Sequence, residues 1–489
     1  MNIDFHAILP ELILSGTVLL VLVVDAFLAP RRRWLAMPLS LLGVLAALVA
    51  ELTLLGATPR TAFGGHFVVD SFALTFKLLF LGIAVVVLSV SLHYFKDRGY
   101  YQGEYYFLLL TSFLGCMLMP SSRDLLMLFI SLELVSAPGF LMASFRKSDV
   151  RSNEAGLKFF LIGVLSTAVM LYGMSMIYGL TGHTGLSEVA QGLAGLTGGR
   201  ETLALASILF VVVGFAFKVS AFPFQFWAPD TYEGSPVPVA AFLAVASSAA
   251  GFAGLLQLMF VAFVNQHEFW VPIFAFLSIA TMTIGNLVAL QQKQVVRLLA
   301  YSGIAQAGYM LLPFALVTGD PANNQTAFAA ALAYIVIYAV MNLGAYAVVI
   351  GVSKRHPRLL ISDFAGLART APVLAVGMTL FMISLAGVPP TGGFWAKILI
   401  FRAALDRGGS LGVWLAVIML VNSVVSIAYY FAVPRQMIFK DPAEVETLRT
   451  PWLVTAVVSL AIVGVLGIFL VPNPFARLAD LSTLVAPVG

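Results

Sequence analysis

The chain has 489 residues, 60% of them hydrophobic and only 10% charged, with a formal net charge of +4 at pH 7. That composition excludes a set of soluble domains and describes a polytopic membrane protein. The single cysteine, Cys116, excludes a disulfide framework, an all-cysteine zinc site and an iron–sulfur cluster held by this chain alone.

A spanning helix takes about 20 apolar residues. Fourteen segments read as spans, near 8–28, 34–56, 69–93, 105–119, 123–145, 155–180, 202–227, 237–264, 269–291, 296–318, 326–353, 372–404, 411–434 and 451–472. The start, Met1-Asn2-Ile3-Asp4, lacks the basic region of a signal peptide, so no cleaved leader is expected. The Gly-rich stretch from Gly179 to Gly199 reads as an outward-facing flexible loop or a weakly amphipathic segment.

Basic residues divide between alternate loops. One set holds Arg31–Arg33, Lys96, Arg98, Arg146, Lys147, Arg151, Lys158, Lys293, Arg297, Lys354, Arg355, Arg358, Arg369, Arg435, Lys440 and Arg449. The other holds only Arg60, Arg123, Arg200, Arg402, Arg407 and Arg477. The positive-inside rule makes the first set cytoplasmic and puts both termini outside.

Two spans are interrupted. In the seventh, Lys218 precedes Pro223-Phe224-Gln225-Phe226-Trp227; in the twelfth, Pro389-Pro390 precedes Phe394-Trp395-Ala396-Lys397. Each combines a proline break, an aromatic cluster and a lysine. They stand five spans apart, an odd number, so they cross in opposite senses, as in an inverted repeat. The expected fold is all-α, with repeat units of five helices (4–8 and 9–13) and broken helices 7 and 12. The corresponding divisions are 1–104, 105–265, 266–440 and 441–489.

Charges inside spans are expensive and mark ion pathways. Glu133 lies near the middle of the fifth span, with Ser136 one turn on and placed to orient it. Burial disfavours the charged forms of Glu133 and Lys218, and proximity favours both. Such a pair can load and release protons as its separation changes; the alternative is a static bridge, which desolvation makes a poor stabiliser. Lys397 is the corresponding amine of the second half, or else snorkels to an interface. Lys77 is as well explained by packing or snorkelling as by function. Asp25 is expected to face Arg31–Arg33, and Glu11 and Glu51 lie close to helix ends and carry little weight. A path between the lysines would use Ser247, Ser248, Tyr301, Ser302, Gln306 and Tyr309, with Ser302 and Gln306 sharing a helix face. The six histidines lie near loops or helix ends without metal spacing, and no phosphate loop or dinucleotide fingerprint is present. No redox group and no nucleic-acid partner is expected for this chain.

The motifs resemble the antiporter-like membrane subunits of respiratory complex I, with the N type the nearest match. The resemblance covers essentially the whole chain. It rests on Leu9-Pro10-Glu11, on Glu133, on Phe217-Lys218 through Pro223-Phe224, Trp227-Ala228-Pro229-Asp230 and Tyr232-Glu233-Gly234, on Arg297 through Tyr301-Ser302, and on Leu385-Ala386-Gly387-Val388-Pro389 through Gly393-Phe394 and Lys397. It implies fourteen helices and proton translocation coupled at a distance to NADH:quinone oxidoreduction. It also implies Glu133–Lys218 as the modulating pair and Lys397 as the terminal lysine. FMN and iron–sulfur clusters would lie in other subunits, and the partners would be other membrane-arm subunits, including antiporter-like ones, in a bacterial cell membrane. A lysine in the twelfth span fits the N type better than the M type, and an end at Gly489 without a long lateral helix speaks against the L type. Two departures stand out. Ser248 occupies a place where the family leads one to expect lysine, and Gln306 one where histidine is common. Two further readings remain: a subunit of a cation/proton antiporter, whose complexes contain the same core, and a spacer that has lost pumping, which the two departures suggest.

Overall fold

The computed structural model describes residues 4–27, 34–56, 58–96, 103–442 and 446–473. Helices run in the order α1 (Leu9–Phe27), α2 (Ala36–Leu52), α3 (Ser71–Lys96), α4 (Gly103–Leu118), α5 (Leu125–Ala143), α6 (Val150–Thr181), α7 (Leu186–Ala194), α8 (Gly199–Lys218) and α9 (Trp227–Gly234). They continue as α10 (Val237–Phe242), α11 (Ser248–Gln257), α12 (His267–Ala289), α13 (Val295–Leu311), α14 (Pro321–Ser353), α15 (Leu367–Thr370) and α16 (Pro372–Ala386). The last are α17 (Gly392–Arg407), α18 (Gly409–Tyr430), α19 (Ala432–Phe439) and α20 (Trp452–Leu470). Every expected span coincides with a helix or a broken pair. Among the described residues, 11 helical stretches are long and apolar enough to cross a membrane unaided. The second, fourth and twelfth spans are built from shorter helices.

Local chemistry sets the boundaries. Asp124, Asp149 and Asp320 each accept backbone N–H groups at the start of α5, α6 and α14, satisfying donors that a helix start leaves free. Gly182 ends α6 at φ 75°, a conformation glycine adopts at no steric cost.

Burial sorts the helices into shells. The stretch Val237–Ala262 is 94% buried and Pro321–Ser353 89%, against 22% for Trp452–Leu470 and 33% for Leu9–Phe27. Helices apolar all round take the middle; α1, α6, α18 and α20 present apolar faces outward. The central stretch is not uniform. Two π-helical turns, Leu243–Ser247 and Leu258–Ala262, interrupt it, the first ending beside Ser248.

Of the two expected forms of Gly179 to Gly199 the structure has the amphipathic one, the helix α7, with Leu186, Val189 and Leu193 buried. One feature departs from expectation. A hairpin, β1 (Arg60–Ala62) paired antiparallel with β2 (Phe67–Val69), links α2 to α3. Three-residue strands are too short for alternation to reveal. Arg31–Arg33, Arg98 and Arg477, used above for orientation, lie outside the described residues. The expected pairing of Asp25 with Arg31–Arg33 therefore falls outside the described residues; the Asp25 carboxyl lies against Gly103 on α4.

Candidate functional site

The first break begins where α8 ends at Lys218. Ser220 takes φ 56°, uncommon outside glycine, and the chain turns through Pro223 into α9. An aromatic stack holds the turn: Trp227 lies 4.2 Å from Phe159 at an interplanar angle of 9°, and 5.1 Å from Phe217. Lys218 is 2% exposed. Its Nζ donates to Ser136 Oγ at 2.8 Å, while Ser136 donates to Leu132 O at 2.7 Å. Glu133 and Cys116 are close enough to act on Lys218 electrostatically. The expected Glu133–Lys218 contact is therefore indirect. Ser136 receives the amine rather than orienting the carboxylate, and no direct ion pair forms among the described residues. Glu133 is half-buried, with Oε1 enclosed and without a hydrogen-bond partner.

The second break lies between α16 and α17. Gly387 caps α16 at φ 82° and leaves room for the Lys397 side chain, whose Cδ lies 2.5 Å from where a Cβ would stand. Lys397 is 7% exposed, so it does not snorkel. Its Nζ donates to Ala386 O at 2.8 Å and lies 4.6 Å from the centre of the Tyr309 ring, within cation–π range. Pro389 and Pro390 form the turn. Trp395 Nε1 donates to Phe469 O at 3.2 Å, anchoring the start of α17 to α20.

Between the breaks lie two polar groups of unequal density. Near the first, Ser220, Tyr232, Ser248 and Tyr338 line a cavity of about 10 Å³ for water centres, roughly the room one water needs. Ser248 Oγ donates to Leu243 O at 3.2 Å across the π turn. Tyr338 accepts from Asn342 Nδ2 at 2.7 Å. Near the second, Gln306 Nε2 donates to Tyr430 Oη and to Leu385 O, both at 2.9 Å. Tyr334 donates to Gln306 Oε1, and Ser302 meets Tyr430 at 2.5 Å. Tyr334 stacks on Tyr309 with centroids 6.3 Å apart, which brings this cluster to Lys397.

Of the expected path residues, Ser302, Gln306 and Tyr309 come together and Ser248 stands in the neighbouring cavity. Tyr301 stands apart, its ring 6.0 Å from the Arg297 guanidinium. Ser247 is buried within the π turn. Sequence reading missed Ser220, Tyr232, Tyr334, Tyr338 and Tyr430. Tyr334, Tyr338 and Asn342 do recur every fourth residue of one apolar span, a stripe that marks a shared face.

The other charged residues read differently from expectation. Lys77 is fully buried and lies 2.6 Å from Glu11, with side-chain exposures of 0% and 7%. Glu51, given little weight for its place near a helix end, is 0% exposed. At one end of the bundle, Asp230 receives Lys158 Nζ and Arg297 Nη1, each at 2.7 Å, and Arg297 also reaches Glu233 at 2.9 Å. Partial burial opposes ionisation of Asp230, but these hydrogen bonds outweigh it and hold its carboxyl below the usual range. At the other end, Arg123 pairs with Asp70 at 2.7 Å and donates to Gln257 and Pro120 O.

Fold and site define a multi-span membrane protein of the antiporter-like class, with broken helices and buried amines. The profile of the family described as NADH:quinone oxidoreductase/Mrp antiporter, TM, matches residues 122–426. NADH-quinone oxidoreductase subunit N of Trichlorobacter lovleyi is 40% identical over 464 residues, 94% of this chain and 92% of that one. The Chlorobium chlorochromatii subunit N is 39% identical over 89% of this chain and 85% of its own. A chain of respiratory complex I from Thermus thermophilus superposes with a TM-score of 0.78 at 32% identity, covering 96% and 98% of the two chains. A chain of the Mrp complex from Dietzia sp. gives 0.85 at 19% identity, covering 99% and 98%, a likeness of fold alone. The chain belongs to this family, as an antiporter-like subunit of the N type in the membrane arm of complex I.

Proposed function

We propose that the chain carries protons across the membrane through Lys218, the Gln306–tyrosine cluster and Lys397, with Glu133 setting the charge on Lys218. The observation that carries this reading is the placement of Lys218. Its ammonium rests on Ser136 Oγ at 2.8 Å, one helical turn from a carboxylate whose enclosed oxygen has no hydrogen-bond partner. The amine thus has two resting places on one helix face, a neutral hydroxyl and an anion. Against Glu133 its charged form is favoured; against Ser136 alone, burial favours release.

A released proton meets the Ser220–Tyr232–Ser248–Tyr338 cavity next, which has about the room one water needs to link its hydroxyls. Gln306 cannot titrate, so protons pass this point by reorientation of hydroxyls around it. Lys397, held by a carbonyl and a ring face, is the last acceptor. The magnitudes agree. Moving a proton against about 170 mV takes roughly 4 kcal/mol, and about three units of proton affinity supply the same.

On this reading FMN, iron–sulfur clusters and quinone chemistry reside in other subunits, and the chain acts as a non-redox part of the translocase. The end bearing Arg151, Lys158, Lys293 and Arg297 faces the cytoplasm, with both termini outside. The fourth to eighth and the ninth to thirteenth spans act as paired halves.

The test is Lys218→Ala in membrane vesicles, measuring proton uptake per NADH oxidised. Uptake should fall at least about tenfold, because each 1.4 kcal/mol added to a limiting step is a factor of ten. Unchanged uptake with unchanged quinone reduction would leave the chain as a spacer and end the proposal.

A further inference from the structure

The route above uses none of the charges on the first three helices, yet three of them meet in the interior. Glu11 on α1, Glu51 on α2 and Lys77 on α3 are 5%, 0% and 0% exposed. Lys77 Nζ lies 2.6 Å from Glu11 Oε1, and Glu51 lies within electrostatic reach of both. Neither oxygen of Glu51 has a hydrogen-bond partner among the described residues. The Phe67 ring of β2, 4.8 Å from Lys77 Nζ, closes one side. Toward the hairpin end, polar groups are paired with one another: His6 Nε2 meets Thr53 Oγ1 at 2.9 Å, and Arg60 meets Asp4 at 3.1 Å. The helix α4, which also packs on α2, carries its one acidic residue, Glu104, at its far end, bound to Lys147.

Two carboxyl groups therefore lie with one ammonium. Glu11 forms the ion pair with Lys77, and Glu51 is left without a partner of its own among the described residues. An ionised Glu51 would be a buried charge without a partner, which proteins avoid by neutralising the group. Two carboxyl groups sharing a site also resist ionising together. We propose that Glu11, Lys77 and Glu51 form a second proton-binding site, in which Glu51 holds an exchangeable proton beside the Glu11–Lys77 pair. The proton comes and goes through the end of the bundle that carries the hairpin, since His6 and Thr53 lie there. The site stands apart from the Lys218–Lys397 line and does not depend on it.

Infrared difference spectra of the whole complex, wild type minus Glu51→Gln, test this. The expected result is loss of one protonated-carboxyl stretch that shifts in the wild type when H2O is exchanged for D2O. Absence of any lost stretch, meaning an ionised Glu51, would overturn the proposal. So would a stretch that fails to shift in D2O, which describes a sealed structural acid. Should Glu51→Gln fail to assemble, Glu51→Asp keeps the acid: its stretch should move in frequency and still shift in D2O, and an unmoved spectrum counts against the site. The Lys218→Ala complex should keep the stretch, so failure of either proposal is seen separately from the other.

Discussion

In α8 the lysine is the last helical residue before the break, whereas in α17 it comes more than a turn after one. By position alone, Lys218 sits where aligned peptide dipoles favour a cation and Lys397 near an end where they oppose it. Lys397 resolves this by reaching back 2.8 Å to Ala386 O, the last residue of α16. Lys218 is thus the last residue of the half-helix preceding its break, and Lys397 reaches back to the last carbonyl of the half-helix preceding its own. They differ in what completes the shell. Lys218 has a hydroxyl and a nearby carboxylate; Lys397 has a carbonyl and the face of the Tyr309 ring. One backbone device therefore serves an amine with an acidic side chain in reach and another held by neutral groups.

The sharpest break of this comparison comes from two glycines. A Cβ at Gly393 would lie 1.8 Å from Ser384 O, a backbone atom of α16. A Cβ at Gly251 would meet Lys218 Cγ at 2.9 Å, part of a side chain that can move. Overpacking costs about 1–3 kcal/mol and more where backbone must shift. Gly393→Ala should therefore strip the subunit from purified complex, while Gly251→Ala should assemble and lower proton uptake by displacing Lys218. Equal assembly of the two would show that the second break is no more tightly fitted than the first.

Next in size are the partners of the lysines. Ser136→Ala removes a hydrogen bond to a charged group, worth roughly 1.5–3 kcal/mol, and leaves Lys218 only Glu133. Proton uptake should fall about tenfold, in keeping with 1.4 kcal/mol per decade. Tyr309→Leu removes a ring face worth about 0.5–2 kcal/mol and should cost a few-fold, while Tyr309→Phe keeps the face and should stay near wild type. A Phe variant as poor as Leu would mean that the hydroxyl, which accepts from Ser423 at 3.3 Å, matters more than the ring.

Which parts of this were legible in the sequence follows from what is local. Pro223, Pro389 and Pro390 announce both breaks because proline's missing N–H acts on its own helix. The depth of Lys218 and Lys397 follows from counting along a span. Ser302 and Gln306 share a face because four residues make one turn. Partnership is lateral, and spacing along one helix does not report it. Tyr334 and Tyr430 read as ordinary aromatics in apolar spans until Gln306 is seen between them. Ser136 reads as a companion of Glu133 on its own helix, but its partner arrives from α8. Glu11 and Glu51 are near helix ends along the chain and yet enclosed sideways by neighbouring helices.

The smallest effect belongs to a charge contact outside the spans that would link the two proposed halves. Asp230 on α9 is held by Arg297 from α13 and by Lys158 from α6. Partly exposed ion pairs of this kind contribute little, typically under about 1 kcal/mol, although three charges in a network do better than two. The sign of the pH dependence is fixed by the direction of the shift. Asp230 is held below its ordinary value of 3.8 despite partial burial, so its contribution is complete above that pH and is lost as pH falls through the lower folded value. Asp230→Asn should therefore lower thermal stability in detergent slightly and by the same amount at every pH from about 5 to 8, with the difference from wild type closing only in strong acid. A gap that opens or closes within the neutral range would mean that Asp230 titrates there, and that the contact between α9 and α13 responds to pH near neutrality.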